Sequence, residues 1–330
     1  MNIQIERDIA RQAARRAARL CLAVQQEMLG SPDRMDKAGR EPVTVADFGA
    51  QAVICAMLQE MLPDDRVIAE ESAADFVALA GSGQRELVTR HVSEALGRDV
   101  TPDEVSNWLD HGRGAASSRA WMIDPIDGTK GFLRGDQFAV AIGYAVDGVL
   151  AVGTLACPKL AVRADEPDGE VGLVLTAARG QGASAERLSG GDAWDIHASA
   201  AREANAARAV ESVESAHGDQ SVSAQTLRVL GVGRAPLRID SQAKYAAVAD
   251  GRADIYLRTM SSPDYRERVW DHAAGALIVS EAGGRVTDLY GEPLDFSLGS
   301  RLESNRGVLA TNGHLHEATL AALREVGAAS

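Results

Sequence analysis

The chain of 330 residues is 45% hydrophobic and 25% charged, and it contains no apolar run approaching the ~18 residues that a membrane span requires. Lys plus Arg number 34 against 47 Asp plus Glu, a formal net charge of -13 that repels polyanions at long range and argues against extended nucleic acid as a partner. A small anion stays admissible wherever metal ions or a local Lys/Arg cluster reverse the sign inside one cleft.

Alanine and leucine at helical spacing predict a helix over residues 4 to 29. Its start is Arg-rich, but Glu6, Asp8 and the lack of serine argue against a transit peptide. A second helix is predicted from Val45 to about Leu62, with Thr44 as N-cap, Asp47 as its reciprocal partner, and Pro63-Asp64-Asp65 as the stop. Cys21, Cys55 and Cys157 show no CxxC or Cys/His pattern, which argues against zinc and disulfides and fits a reducing, cytoplasmic setting.

Next, "RVIAEES" reads as a short strand ending in Glu70 and Glu71, and residues 72 to 118 read as a polar insertion with helical pieces such as "TPDEVSNWLDHG". From Trp121, "WMID", "FAVAIGYAVDGVLAVGTLACPK" and "GLVLTAARGQGA" predict antiparallel strands, with turns at Asp147-Gly148 and in "DEPDGE". A polar, Ala-rich stretch around residues 190 to 208 interrupts this pattern, and strands and helices alternate beyond it. We therefore expect an α+β domain over 1-195 and an α/β domain over 196-330.

"WMIDPIDGTKGF" places Asp124 and Asp127 around Pro125 and continues into Gly128-Thr129-Lys130-Gly131. A tight turn explains one aspartate. Two carboxylates beside glycines whose N–H groups stay open to an anion suit magnesium together with phosphate, because Mg²⁺ takes oxygen ligands and shares them with substrate phosphates. Taken singly, Glu70 also reads as a solvated residue after a strand, Asp47 as a capping acid, and Asp271 in "VWDHAAG" as an acid favoured at a helix start.

Together, "PVTVADFGAQ", "VIAEES", "WMIDPIDGTKGF" and "VWDHAAGALIVSEAGG" occur in an order that resembles the lithium-sensitive, magnesium-dependent phosphomonoesterase superfamily. The longer phrases "DPIDGTKGFLRGDQFAVAI", "LRIDSQAKYAAVADGRADIYLR" and "WDHAAGALIVSEAGGRVTD" are similar to its bisphosphate nucleotidase branch, as are Lys130 and the helical insert before the loop. The resemblance covers most of the chain. It implies a layered α-β-α-β-α sandwich of the inositol monophosphatase and fructose-1,6-bisphosphatase type. It also implies two or three magnesium ions, with Glu70, Asp124, the Ile126 carbonyl, Asp127 and Asp271 as ligands and Asp124 bridging. Asp47 and Thr129 would then handle the attacking water, and the Gly128 and Thr129 amides would hold the scissile phosphate. Ser241, Lys244, Arg258, Asp271 and His217 would contact a nucleotide.

The activity implied is hydrolysis of the 3′-phosphate of adenosine 3′,5′-bisphosphate, and of its sulfated form, in sulfur metabolism. Lithium should inhibit it. Two departures from the pattern stand out: Ala69 precedes Glu70 where many members have glycine, and "AHGDQ" shortens the loop that bears His217. An inositol phosphate phosphatase and a nucleotide-binding sensor remain as alternatives, and the oligomeric state stays open.

Overall fold

Two sheets and the helices between and around them build the chain in the computed structural model, which describes residues 3–30, 45–79, 82–213, 220–260, 262 and 264–328. The first sheet runs in sequence order through β1 (Arg66–Ala69), β2 (Arg119–Asp127), β3 (Ala139–Val146), β4 (Val149–Ala161), β5 (Val171–Ala178), β6 (Ala183–Arg187) and β7 (Trp194–Ile196). Only β1 pairs in parallel with its neighbour; the other pairings are antiparallel. Thus the meander expected from Trp121 onward forms, and it extends into the polar stretch, where Trp194–Ile196 adds a strand against β6.

On one face of this sheet lie α1 (Gln4–Gly30) and α2 (Val45–Met61). Buried Ala10, Ala13, Ala14, Ala17 and Ala18 of α1 and Ala46, Ala50 and Ala52 of α2 keep the helices close, removing apolar surface from water with little side-chain entropy lost. The arginines of α1 have their own use. Arg11 and Arg15 reach the buried carboxylate of Glu186 at 3.1 and 2.7 Å, and Arg19, one turn further on, donates to the carbonyls of Leu188 and Ser189. Spaced four residues apart, they form one stripe that binds the helix to the end of β6.

The insertion is more regular than its composition implied. It folds as α3 (Ala73–Leu79), α4 (Ser82–Leu96) and α5 (Pro102–Leu109), with Val88, Val92, Val105 and Trp108 buried in the same core as α2. Thr101 and Glu104 close a reciprocal cap at the start of α5. Thr44, expected to cap α2, lies outside the described residues.

The other face of the first sheet carries α8 (Ala243–Ala249) and α9 (Ala273–Glu281). These cover the second sheet, of order β11 (Arg285–Thr287), β12 (Val308–Thr311), β10 (Ile255–Arg258), β8 (Ala209–Glu211) and β9 (Leu237–Arg238). Leu155 and Leu175 of the first sheet share a core with Tyr245, Leu277 and Val308. Beyond the second sheet, α7 (Gln220–Leu230) and α10 (His316–Glu325) close the stack, with Leu320 of α10 packed in one core with Ile255 and Leu309. The layers are α-β-α-β-α, as the resemblance implied.

Close contact sets the height of α9 above the sheet. A methyl group on Gly143 would stand 2.6 Å from Ala273 Cβ, and one on Gly153 would stand 2.6 Å from the Ala274 carbonyl oxygen. The glycines of β3 and β4 therefore let the start of α9 settle onto the sheet, beside the end of β2.

Candidate active site

Parallel pairing of β1 with β2 puts Ala69 opposite Ile123, and the Glu70 N–H donates to the Ile123 carbonyl at 3.3 Å. Glu70 and Asp124 therefore leave adjacent strands at the same end. Along β2, Asp124 faces Ala141 and Asp127 faces Ala139, so one extra residue is accommodated between them. In a regular strand, residues three apart point to opposite faces; the bulge returns Asp127 to the face of Asp124. Pro125, which has no N–H to give a ladder, sits within that irregularity.

The face they share is the one covered by α9, whose first residues follow a single 3-10 turn at Val269–Asp271. Asp271 arrives there, while Asp47 comes from the first turn of α2. Glu70, Asp127, Asp271 and Asp47 all lie within electrostatic reach of Asp124; together with burial, which contributes most, they hold its pKa well above the ordinary carboxylate range. Asp124 Oδ1 is buried with no hydrogen-bond partner among the described residues. A buried acid that lacks a donor and faces other acids is costly by itself, and a hard divalent cation is what such a set of oxygens fits.

Next to Asp127, Gly128 adopts φ 87°, and a Cβ there would stand 2.9 Å from Ser241 Cβ. Ser241 is itself left-handed, with φ 73°. The Thr129 hydroxyl, at the start of α6 (Thr129–Arg134), donates to the Ile126 carbonyl at 3.3 Å. An ion pair from Arg134 to Asp240 ties α6 to the segment before Ser241. Gln242 donates to the Trp270 carbonyl at 3.0 Å, so one short segment contacts both the loop and the turn bearing Asp271. Gln242 and Asp240 lie inside "LRIDSQAKY" but were not singled out there as site residues.

Lys244 is buried with its Nζ 5.5 Å from the centre of the Tyr256 ring. Burial lowers its pKa to about 8, opposed by Asp127 and assisted by Arg258. Arg258 pairs with Glu267 and stands 3.7 Å from Asp271 Oδ2. Ser241, Lys244 and Arg258 are thus brought to the acids; His217 lies outside the described residues.

Glu267, Asp271 and His272 also place potential ligand atoms within 4.8 Å of one another. Arg258 supplies the cation there: its Nε donates to Glu267 Oε1 at 3.0 Å and its Nη2 lies 2.9 Å from Oε2. Although burial alone would raise the pKa of Glu267, Arg258 and His272 outweigh it and hold the group at about 2. Glu267 stands four residues before Asp271 in "ERVWD", and that spacing was the available signal.

Over residues 4–328 the sequence matches the inositol monophosphatase family. The chain belongs to that family. It is 37% identical to a 3′(2′),5′-bisphosphate nucleotidase of Emericella nidulans, with 99% of each chain covered. It is 39% identical to the enzyme of that name from Oryza sativa over 96% of this chain and 92% of the relative, and 34% identical to one from Schizosaccharomyces pombe over 99% and 97%. Among solved structures, an inositol monophosphatase from Anabaena superposes with TM-score 0.65 at 22% identity, covering 98% of this chain and 97% of that one. The family fold is therefore shared at low identity, and no helix among the described residues is long and apolar enough to cross a membrane.

The acid cluster sets a pH dependence. Burial, followed by Asp47 and Glu70, raises Glu71 from 4.5 to about 8. A raised folded pKa means that the folded chain binds the extra proton, so this stability is full below 4.5 and is lost as pH rises toward about 8. His316, lowered from 6.5 to about 4 mainly by burial, acts in the opposite sense, but only below 6.5. We expect the melting temperature of protein in EDTA to fall between pH 6.5 and 8, and magnesium to flatten that fall. A melting temperature that rises across this interval contradicts the clustering of Asp124 and Glu71 with the other acids.

Proposed function

We propose that the chain is a magnesium-dependent phosphomonoesterase that converts adenosine 3′,5′-bisphosphate to AMP and phosphate, and that also acts on the sulfated nucleotide. The substrate reading rests on one observation above the rest: two cationic side chains, the buried Lys244 and the half-buried Arg258, stand beside a cluster of carboxylates. The acids suit cations, and the cations suit a second phosphate that a monophosphate lacks. The near-full-length likeness to bisphosphate nucleotidases supports it.

Glu70, Asp124, Asp127, Asp271 and the Ile126 carbonyl would hold the magnesium. When bound, the ions supply positive charge toward phosphoryl oxygens and bring the pKa of water toward neutrality. Asp47 accepts the proton of the attacking water, and the Thr129 hydroxyl orients it. The Gly128 and Thr129 amides take the scissile phosphate at the turn that Ser241 braces. Ser241, Lys244 and Arg258 hold the rest of the nucleotide, with His217 as a further contact. Phosphoryl transfer through a loose transition state asks for positioning and charge neutralisation, and the cluster needs no nucleophilic Ser or Cys. A reducing compartment such as the cytoplasm suits the free, buried Cys21, Cys55 and Cys157.

Phosphate release from a panel of adenosine 3′,5′-bisphosphate, inositol 1-phosphate, inositol 1,4-bisphosphate and a simple aryl phosphate, with magnesium and with added lithium, tests this. Preference for the nucleotide and inhibition by lithium are expected; preference for the inositol phosphates contradicts it. Lys244→Ala should raise KM for the nucleotide about 10- to 100-fold, the worth of a charged hydrogen bond, and raise it far less for the aryl phosphate. Because the Lys244 pKa is about 8, wild-type kcat/KM for the nucleotide should decline above that pH.

A further inference from the structure

Glu267 contributes nothing to the reaction as described, yet it is as enclosed as the acids of the site itself. Its side chain is 3% exposed, whereas those of Arg258 and Asp271 are 20% and 19% exposed. Both of its oxygens are engaged. Oε1 accepts from Arg258 Nε at 3.0 Å, and Oε2 lies 2.9 Å from Arg258 Nη2 and 3.2 Å from His272 Nε2. His272 in turn meets the Tyr245 hydroxyl through Nδ1 at 2.6 Å, and Tyr245 is fixed against Gly275, where an added methyl would stand 2.3 Å from its ring. A paired fork of this kind sets the plane of a guanidinium as well as its position.

Asp271 sits at the edge of that arrangement, 3.7 Å from Arg258 Nη2, farther than a direct hydrogen bond. Arg258 thus stands between two acids and is committed to the one that faces away from solvent. Without Glu267 the strongest partner within reach would be Asp271, and a close pair there would occupy the carboxylate and the guanidinium at once.

We propose that Glu267 is a positioning residue: by holding Arg258 in a two-point pair, it keeps the guanidinium off Asp271, so that the arginine serves an anionic group of the ligand and the aspartate serves a divalent cation. This rests on the function proposed above, in which Asp271 holds magnesium and Arg258 the second phosphate. His272, itself held by the Tyr245 hydroxyl, completes the support with a second contact to Oε2.

The test uses the whole protein as wild type, Glu267→Gln, Arg258→Met and the double variant. Mg²⁺ binding is followed by calorimetry, and KM is measured for adenosine 3′,5′-bisphosphate and for an aryl phosphate with one phosphate group. Glu267→Gln should weaken Mg²⁺ binding about 10-fold and raise KM for the bisphosphate about 10- to 100-fold, the range typical of lost support around a site. The rise should exceed that for the aryl phosphate by at least about fivefold. On the Arg258→Met background, Glu267→Gln should change neither quantity further, because its route of action is gone. Effects of the same size on both backgrounds, or none on either, overturn the positioning role. Should Glu267→Gln lose its cooperative melting transition, Glu267→Asp, which keeps the charge but is one methylene short of the fork, is held to the same outcomes. A wild type that neither binds Mg²⁺ nor releases phosphate from the bisphosphate contradicts the proposed function itself. A wild type that does both, with Glu267→Gln indistinguishable from it, contradicts the positioning role alone.

Discussion

Replacing Asp124 by Asn should lower kcat by about a thousandfold or more, a loss of about 4 kcal/mol of transition-state stabilisation, and should make the metal-free protein harder to melt. Both effects come from one atom group. In the folded chain Asp124 is buried among Glu70, Asp127, Asp271 and Asp47, and its Oδ1 has no donor among the described residues. With divalent cations present, its charge is used; without them burial and the repulsion of the surrounding acids make that charge costly in the fold. The neutral, isosteric amide removes that repulsion, so in EDTA at pH 7.5 the variant should melt above wild type. Added magnesium should then raise its melting temperature less than it raises that of wild type, since stabilisation by a ligand follows its affinity. An Asp124→Asn protein with near-normal kcat contradicts the account, and so does one that is less stable in EDTA.

Arg258→Met should destabilise the fold by about 3–5 kcal/mol, the cost of leaving a buried charge without its partner. Glu267 is that charge: it is enclosed, held at about 2 by Arg258 and His272 against the effect of burial, and its remaining contact is His272. In wild type its depressed pKa contributes stability above 4.5 that is lost only as pH falls through about 2. Without Arg258, burial dominates and the sign reverses, so the penalty should shrink as the buffer is taken from pH 8 to pH 5 and Glu267 picks up a proton. Adding Glu267→Leu should recover most of the lost stability, because two apolar side chains replace the ion pair at similar volume. Chemical denaturation of the single and double variants reads these differences directly. A single variant as stable as wild type at pH 8 would show that Glu267 is not the isolated charge the geometry makes it.

The acids that converge were legible because each ends or starts an element: Glu70 after β1, Asp124 and Asp127 at the end of β2, Asp271 just before α9, and Asp47 in the first turn of α2. Hydrophobic periodicity locates such ends, and the order of the phrases around them carried the rest. What spacing alone could not provide was the bulge that turns Asp127 to the side of Asp124, since a one-residue irregularity depends on how β3 pairs. Tyr245 and His272 lie 27 residues apart and meet only because Gly275 lets α8 and α9 close on each other. In the insertion, α5 was legible in "TPDEVSNWLDHG", whereas α3 and α4 were hidden by their polar outer faces, although Val88 and Val92 keep the spacing of a buried stripe. Trp194–Ile196 was missed because a short edge strand need not alternate over enough residues to show a period.

The most direct test of the central claim is the anomalous scattering of manganese, as a stand-in for magnesium, in crystals of the protein. The account predicts a peak in contact with Asp124 Oδ1 and shared with Glu70, Asp127 or Asp271. Manganese absent from Asp124, or bound only among Glu267, Asp271 and His272, would contradict it.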